Sequence, residues 1–310
     1  MLTETKKVAI VTPVHNRREL TLQCLRSLAR IDRTNLDLRI IVVDDGSTDG
    51  TADAVRANFP AVEIIQGDGN LWYSGGMNAG IEHALKQEVD YVWCVNDDSI
   101  FDEKCLIKLI ECAEKNPRSV VGAILLLWDK PHQLFQTSPQ WNAFGGGWRH
   151  WNQQTVWTIP EKPWEVELIV GNCVLFPAQA IREVGLMFTE KLPHYGDAEY
   201  TPRMRKKGWR LLIEPRARVF CSPNTPPPRL RKMNLRQKMD ALFFNRMHAH
   251  NIIKRFYINY YGAPTKLQGV MAFCSFFVLL PFGKNYENGV SGELKEPPLK
   301  ETYAHAVINE

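Results

Sequence analysis

Three times in the first hundred residues a short apolar run stops at a cluster of polar residues. Val8–Val11 leads into Thr12-Pro13-Val14-His15-Asn16-Arg17. Leu38–Val43, broken only by Arg39, leads into Asp44-Asp45-Gly46-Ser47-Thr48-Asp49, and Tyr91–Val95 leads into Asn96-Asp97-Asp98. Such runs read as buried strands. Between them, apolar residues recur at helical spacing: Leu20, Cys24, Leu28 and Ile31, then Val55 and Phe59 behind a capping Asp49, then Ile81, Ala84 and Leu85. Val62–Ile65 supplies a fourth strand, and a helix is expected near Asp102–Lys115. Strands alternating with helices predict an α/β fold: a Rossmann-like, mostly parallel sheet with right-handed crossovers and flanking helices. Sheets of that kind bind ligands at the carboxyl ends of their strands, where these clusters fall.

Two carboxylates at the end of a buried strand are costly unless a cation or ligand satisfies them. Asp97 and Asp98 are hard oxygen donors of the type that suits Mg or Mn held against a diphosphate. Alone, an Asp-Asp pair is more often a solvated turn. The glycines narrow the classes. Gly67-x-Gly69 lacks the third glycine of a dinucleotide fingerprint and no Walker A sequence occurs, which disfavours a dehydrogenase. Gly75-Gly76 is expected to open a helix whose N–H groups face an anion, or to be a tight turn.

The net charge of +4 implies no particular partner. Seven cysteines show no CxxC spacing, so reduced thiols are expected, and no zinc site. Met1–Lys7 has no apolar core, so no secretory signal is read and a cytoplasmic location is expected. Pro223-Asn224-Thr225-Pro226-Pro227-Pro228 is the clearest linker. It puts a boundary near residue 225, between a catalytic unit (1–225, with a donor half at about 7–100 and an acceptor half at 101–225) and an extension (226–310).

Five segments, in their order and spacing, resemble an inverting family 2 glycosyltransferase of the GT-A fold. They are Thr12–Arg17, Val43–Asp49, Gly75–Gly80, Asn96–Asp98, and His194-Tyr195-Gly196-Asp197-Ala198-Glu199-Tyr200 followed by Arg203 and Gly208-Trp209. The likeness covers roughly residues 7–222. Gly69–Gly76 is most similar to the bacterial branch that makes surface polysaccharides, with rhamnosyl- and galactofuranosyltransferases among its members. The resemblance implies that Pro13, Asn16, Arg17, Asp44 and Asp45 shape a nucleobase and ribose pocket. Gly75, Gly76, Asn78 and Asp97 would face the rest of a nucleotide-sugar donor. Asp98 would ligate a divalent cation, and Asp197 would be the general base. Asp197 also suits a helix N-cap, and the two roles are compatible. The sequence departs from the family's pattern twice: Gly196 stands where an acid is usual, and Cys221-Ser222 stands where many relatives have a metal-binding His.

On the acceptor side the reading places Trp148, Asn172, His194 and Glu199. Six of nine tryptophans fall between residues 128 and 164. They would be a stacking platform for a saccharide or lipid-linked saccharide, or packing beneath a long excursion. Between Arg229 and Arg255 eight basic residues meet one acid, with aromatics interleaved, and Gly269–Leu280 is apolar apart from Ser275. That apolar stretch is too short to span a bilayer. A basic, aromatic helical extension suits peripheral contact with an anionic inner leaflet, or packing on the catalytic unit or on a second copy as a homo-oligomer; no nucleic-acid module accompanies it. Two other functions stay open: a sugar nucleotidyltransferase, whose glycine-rich amino-terminal signature is missing from Thr12–Arg18, and a noncatalytic carbohydrate-binding scaffold, which Asp45, Asp98 and Asp197 argue against.

Overall fold

The computed structural model describes residues 4–151, 154–222, 230–246, 248 and 250–279. The chain opens β1 (Lys6–Val14), α1 (Arg18–Ala29), β2 (Leu36–Asp44), α2 (Thr51–Asn58), β3 (Glu63–Gln66), α3 (Trp72–Leu85) and β4 (Tyr91–Val95). It continues β5 (Ser99–Phe101), α4 (Cys105–Lys115), β6 (Ser119–Leu127), β7 (Leu134–Gln136), β8 (Gln140–Asn142), β9 (Gly147–Arg149), β10 (Trp164–Glu165) and β11 (Cys173–Pro177). Then come α5 (Ala178–Val184), α6 (Asp197–Lys206), β12 (Arg210–Cys221), α7 (Leu235–Met239), α8 (Ile252–Gly262) and α9 (Lys266–Leu279).

The main sheet runs β10-β12-β6-β11-β4-β1-β2-β3, with β5 beside β12 and β7 beside β6. β3, β2, β1 and β4 are all parallel, as the alternation predicts. β11 enters antiparallel between β4 and β6, and β12 returns parallel to β6. Strand alternation divides the core in two. Val8 and Ile10 join Leu25 and Leu28 of α1 on one face; Ala9 and Val11 join Met77 and Ile81 of α3 on the other. A sheet covered on both faces explains why its central strands are apolar throughout.

Two local expectations change. β5 has no sequence signature, because three residues are too few to show alternation. The residues from Val166 to Phe176 have strand-like character in the sequence, yet the strand forms only from Cys173. Upstream of it the Thr201 hydroxyl of α6 accepts from Ile169 N (3.0 Å) and donates to Ile169 O (3.3 Å), so a side chain bonds that backbone where a ladder was expected.

α3 lies close to β1 because its facing positions lack side chains. A Cβ at Gly76 would stand 2.7 Å from Pro13 Cβ, and one at Gly80 would stand 2.3 Å from Val11 Cγ1. Gly80→Val is therefore expected to overpack a buried contact and destabilise the fold by about 1–3 kcal/mol or more. A urea midpoint unchanged from the parent would refute this.

The linker at Pro223–Pro228, with its boundary near residue 225, and the ends of the basic and apolar runs at Arg229 and Leu280 lie outside the described residues. α8 and α9 are described and pack on the preceding fold. Lys206 Nζ of α6 donates to Tyr261 O at 3.1 Å, and the Phe188 and Tyr261 rings meet edge-on at 5.3 Å. Phe276 of α9 is fully buried over the β8–β9 hairpin, close to Gly146. Among the described residues no helix is long and apolar enough to cross a membrane.

Candidate functional site

A cleft of about 380 Å3 opens at the carboxyl end of β4. Asn96 and Asp98 reach it from the β4–β5 turn, Asn172 from the start of β11, and Asp197 from the first turn of α6. His194 and Tyr195 line it just before α6, Trp148 and His150 from β9 and beyond, and Arg255 and Ile258 from α8.

At the donor end Arg17 bridges the two acids. Its Nη1 donates to Asp97 Oδ1 at 2.8 Å and its Nη2 to Asp98 Oδ2 at 2.9 Å. Burial pushes the Asp97 carboxyl up to about 7, against the pull of Arg17. Asp97 Oδ2 and Asn96 Oδ1 are buried with no hydrogen-bond partner among the described residues. The hard oxygens and the orphaned carboxylate oxygen fit a divalent cation, which would take Asp98 in competition with Arg17. Among the described residues no cluster of three or more metal-ligating side chains exists. One or two carboxylates are enough for Mg, which keeps waters and takes diphosphate oxygens.

Several residues expected at the donor are occupied by the fold. Asp45 accepts from the backbone N–H of Gly69 (2.8 Å), Leu71 (3.2 Å) and Trp72 (2.9 Å). It thus supplies the anion at the amino end of α3, where the helix dipole favours one. The helix begins at Trp72, three residues earlier than Gly75-Gly76 suggests, and the Gly75 N–H is already bonded to Leu71 O. Gly76 instead lets α3 approach Pro13 of β1, while the side chain nearest Gly75 is Leu71, the cap residue of the same helix. Asn78 is a clamp, with Nδ2 donating to Met187 O and Oδ1 accepting from Met187 N, both at 3.0 Å. Asp44 accepts from Ser47 N at 2.9 Å, and Asn16 accepts from Thr48 N at 2.7 Å with its own backbone left-handed (φ 52). None of Pro13, Asp44, Asp45, Gly75, Gly76 or Asn78 lines the cleft.

Asp197 is held in place by neighbours without room to spare. Its Oδ2 accepts from Gly171 N at 3.0 Å, while Gly171 O accepts from the Tyr73 hydroxyl at 3.1 Å. A Cβ at Gly171 would stand 2.5 Å from Tyr73 Oη and 2.8 Å from Asp197 Cβ. Burial raises the Asp197 pKa above the ordinary aspartate value, and the Gly171 N–H opposes the rise. Gly196, where the family usually has an acid, has no space for one: a Cβ there would be 2.6 Å from Ser74 Oγ.

Glu199 does not reach the cleft. Two residues along a helix is more than half a turn, so it faces away from Asp197. It is fully buried, accepting from Arg203 (2.9 and 3.1 Å) and Phe188 N (3.1 Å). Glu199→Ala is expected to cost about 3–5 kcal/mol by stranding Arg203. A thermal melt within a degree or so of the parent would rule that out. Of the six clustered tryptophans only Trp148 lines the cleft; Trp164 donates to Ser138 Oγ at 2.8 Å and stacks on Trp151, and Trp141 meets Trp148 edge-on at 5.1 Å. Cys221 is buried with its thiol pKa pushed up by burial, so it is a packed, protonated side chain at the cleft wall. His194 is neutral at neutral pH, because burial and Lys254 lower its pKa to about 4.

Tyr73, His150, Arg255 and Ile258 are cleft residues that sequence reasoning did not single out. Tyr73 lies inside a quoted segment, but hydroxyl reach across to Gly171 has no local signature. Arg255 is one of many basic residues in its stretch.

The comparisons agree with this architecture. A poly(ribitol-phosphate) beta-glucosyltransferase of Bacillus spizizenii is 26% identical over 223 residues, 67% of this chain but 34% of that protein. The chain thus spans about a third of that relative's length. An N-acetylglucosaminyl-diphospho-decaprenol L-rhamnosyltransferase of Mycobacterium tuberculosis is 24% identical over 210 residues, 60% of this chain and 67% of that one. A solved structure, GalNAc-T7 with UDP, GalNAc and Mn2+, superposes with a TM-score of 0.59 at 11% identity, covering 90% of this chain and 56% of that chain. That likeness bears on the fold alone, which is of the GT-A type. A family model described as "Glycosyl transferase family 2" matches residues 9–184, more than half of the sequence, and the chain belongs to that family.

Proposed function

We propose that the chain is an inverting glycosyltransferase that moves a sugar from a dTDP- or UDP-sugar to a saccharide or lipid-linked saccharide acceptor in cell-surface polysaccharide synthesis. The observation that carries the reading is one cleft holding Asp98 and Asp197, two acids ninety-nine positions apart in the chain, with polar donors between them. The bond to be made joins an acceptor oxygen to an anomeric carbon. A hydroxyl is a poor nucleophile, and the ionised Asp197 takes its proton as the bond forms. The diphosphate leaves from the opposite face, toward Asp98. Mg or Mn held by Asp98, with Asp97 beside it, would neutralise the charge of that leaving group. Asn96 and Arg17 orient the donor end, and the packed rim of Tyr73, Trp148 and His194 holds the acceptor in line, so proximity adds to the rate.

A peripheral site at the cytoplasmic face of the inner membrane accords with the exposed side chains of α7 and the turn after it. Leu235, Met239, Phe243 and Phe244 stand out to solvent next to Arg236 and Lys238, a pairing that suits an anionic lipid surface.

The test is release of nucleoside diphosphate from a panel of nucleotide sugars with Mn2+ and an acceptor glycan. Turnover that needs all three components is the expected result. Saccharide binding without turnover would favour the scaffold reading. Pyrophosphate release from a nucleoside triphosphate and a sugar phosphate would favour a nucleotidyltransferase.

A further inference from the structure

We infer that Tyr73 is a positioning residue for the reaction: through the backbone of Gly171 it fixes where the Asp197 carboxylate stands. The inference rests on the transferase reading and adds what holds the base in its geometry.

Packing and backbone freedom conflict at Gly171. Only glycine fits there, because a Cβ would stand 2.5 Å from Tyr73 Oη and 2.8 Å from Asp197 Cβ. Glycine is also the residue whose backbone is least restrained, so the Gly171 N–H that donates to Asp197 Oδ2 at 3.0 Å needs an outside hold. Tyr73 supplies one: its hydroxyl donates to Gly171 O at 3.1 Å. The residue is thus gripped at both ends, at O by Tyr73 and at N by Asp197. Burial first, and then the charge of Asp197, push the Tyr73 phenol well above its ordinary pKa, so the hydroxyl keeps its proton and stays a donor.

Tyr73 can hold Gly171 because its own place is set. Trp72, just before it, is left-handed (φ 56), a backbone that a bulky residue adopts only where its surroundings impose it. Here Asp45 Oδ2 accepts from Trp72 N at 2.9 Å. Ser74, just after it, grips the segment that leads into α6. Its N–H donates to Pro193 O at 2.8 Å, and its hydroxyl donates to Leu192 O at 2.6 Å and accepts from Gly196 N at 3.1 Å. The first turn of α3 therefore braces Asp197 at two points, through Gly171 and through Gly196, its neighbour in the chain.

The experiment uses the full chain with Mn2+ and the nucleotide sugar and acceptor glycan that support turnover. Tyr73→Phe leaves the ring in the cleft wall and removes the hydroxyl. It is expected to lower kcat about tenfold, within the roughly 10²-fold that a misplacement of about 1 Å can cost, with both KM values within about twofold of the parent. The acid limb of the kcat/KM profile should move to higher pH, because a loosened Gly171 N–H opposes the burial-raised Asp197 pKa less. Asp98, His150, His194, Tyr195, Cys221 and Arg255 are the other titratable side chains lining the cleft, with Lys254 of α8 over the Tyr195 ring; all are common to both proteins. In Asp197→Asn there is no base to position, so adding Tyr73→Phe should cost less than about twofold. An equal loss in both backgrounds overturns the inference, as does a loss confined to KM or an acid limb that stays in place. Near-normal turnover of Asp197→Asn removes the base and the inference with it. If no donor and acceptor turn over, the transferase reading falls, and the hold on Gly171 is read by hydrogen exchange. Tyr73→Phe should then speed exchange at Gly171 about tenfold with α4 unchanged, and equal exchange overturns the inference.

Discussion

Asp197→Asn is expected to reduce sugar transfer by about 10²–10⁴-fold while nucleotide–Mn2+ affinity stays within about twofold. The substitution keeps a carbonyl oxygen to accept from Gly171 N, so the contact that fixes the start of α6 survives. What disappears is the group able to take a proton. The pH profile gives an independent check. A base works only when ionised, so activity is lost as pH falls through the Asp197 pKa. Burial has raised that pKa, so the acid limb should lie at higher pH than an exposed aspartate would give. The variant's residual activity should lack that limb. Near-normal turnover, or an acid limb identical in both proteins, would remove Asp197 from the role of base.

Asp98→Ala should abolish the part of nucleotide affinity that depends on Mn2+. The loss expected exceeds the roughly 10–100-fold that follows removal of an outer-shell partner from a metal site, because a direct ligand is taken away. Arg17 keeps its 2.8 Å bond to Asp97, so the donor end retains its order. Chelation of the unaltered protein should match the variant, and chelating the variant should add nothing, since both remove one interaction. A variant that bound nucleotide with full affinity and stayed sensitive to chelator would place the cation elsewhere.

Much of the fold was legible because it follows local rules. Val8–Val11, Leu38–Val43 and Tyr91–Val95 form strands, and Val62–Ile65 does so from Glu63, since the central strands of a sheet covered on both faces are apolar and short apolar runs mark them. That β3, β2, β1 and β4 run parallel followed from the helices between them; their order in the sheet did not. Asp98 stood out because acids at the end of a buried strand are costly and therefore rare, whereas Asp197 was marked by the family resemblance.

The amino-acid order determined the alternation of elements and the sheet edge at which the candidate site lies, and with the family resemblance it marked Asp98 and Asp197, which line one cleft. Only the tertiary structure decided which polar residues face the cleft. Asp45, Asn78 and Glu199 lie in the quoted segments, yet each spends its hydrogen-bonding capacity on backbone or on Arg203. Arg255 and Ile258, far along the chain, complete the wall. The reason is physical: periodicity and propensity act over a few residues and fix which face a side chain takes. The partner that satisfies a buried polar group is chosen by packing between segments a hundred residues apart, and no local pattern records that choice.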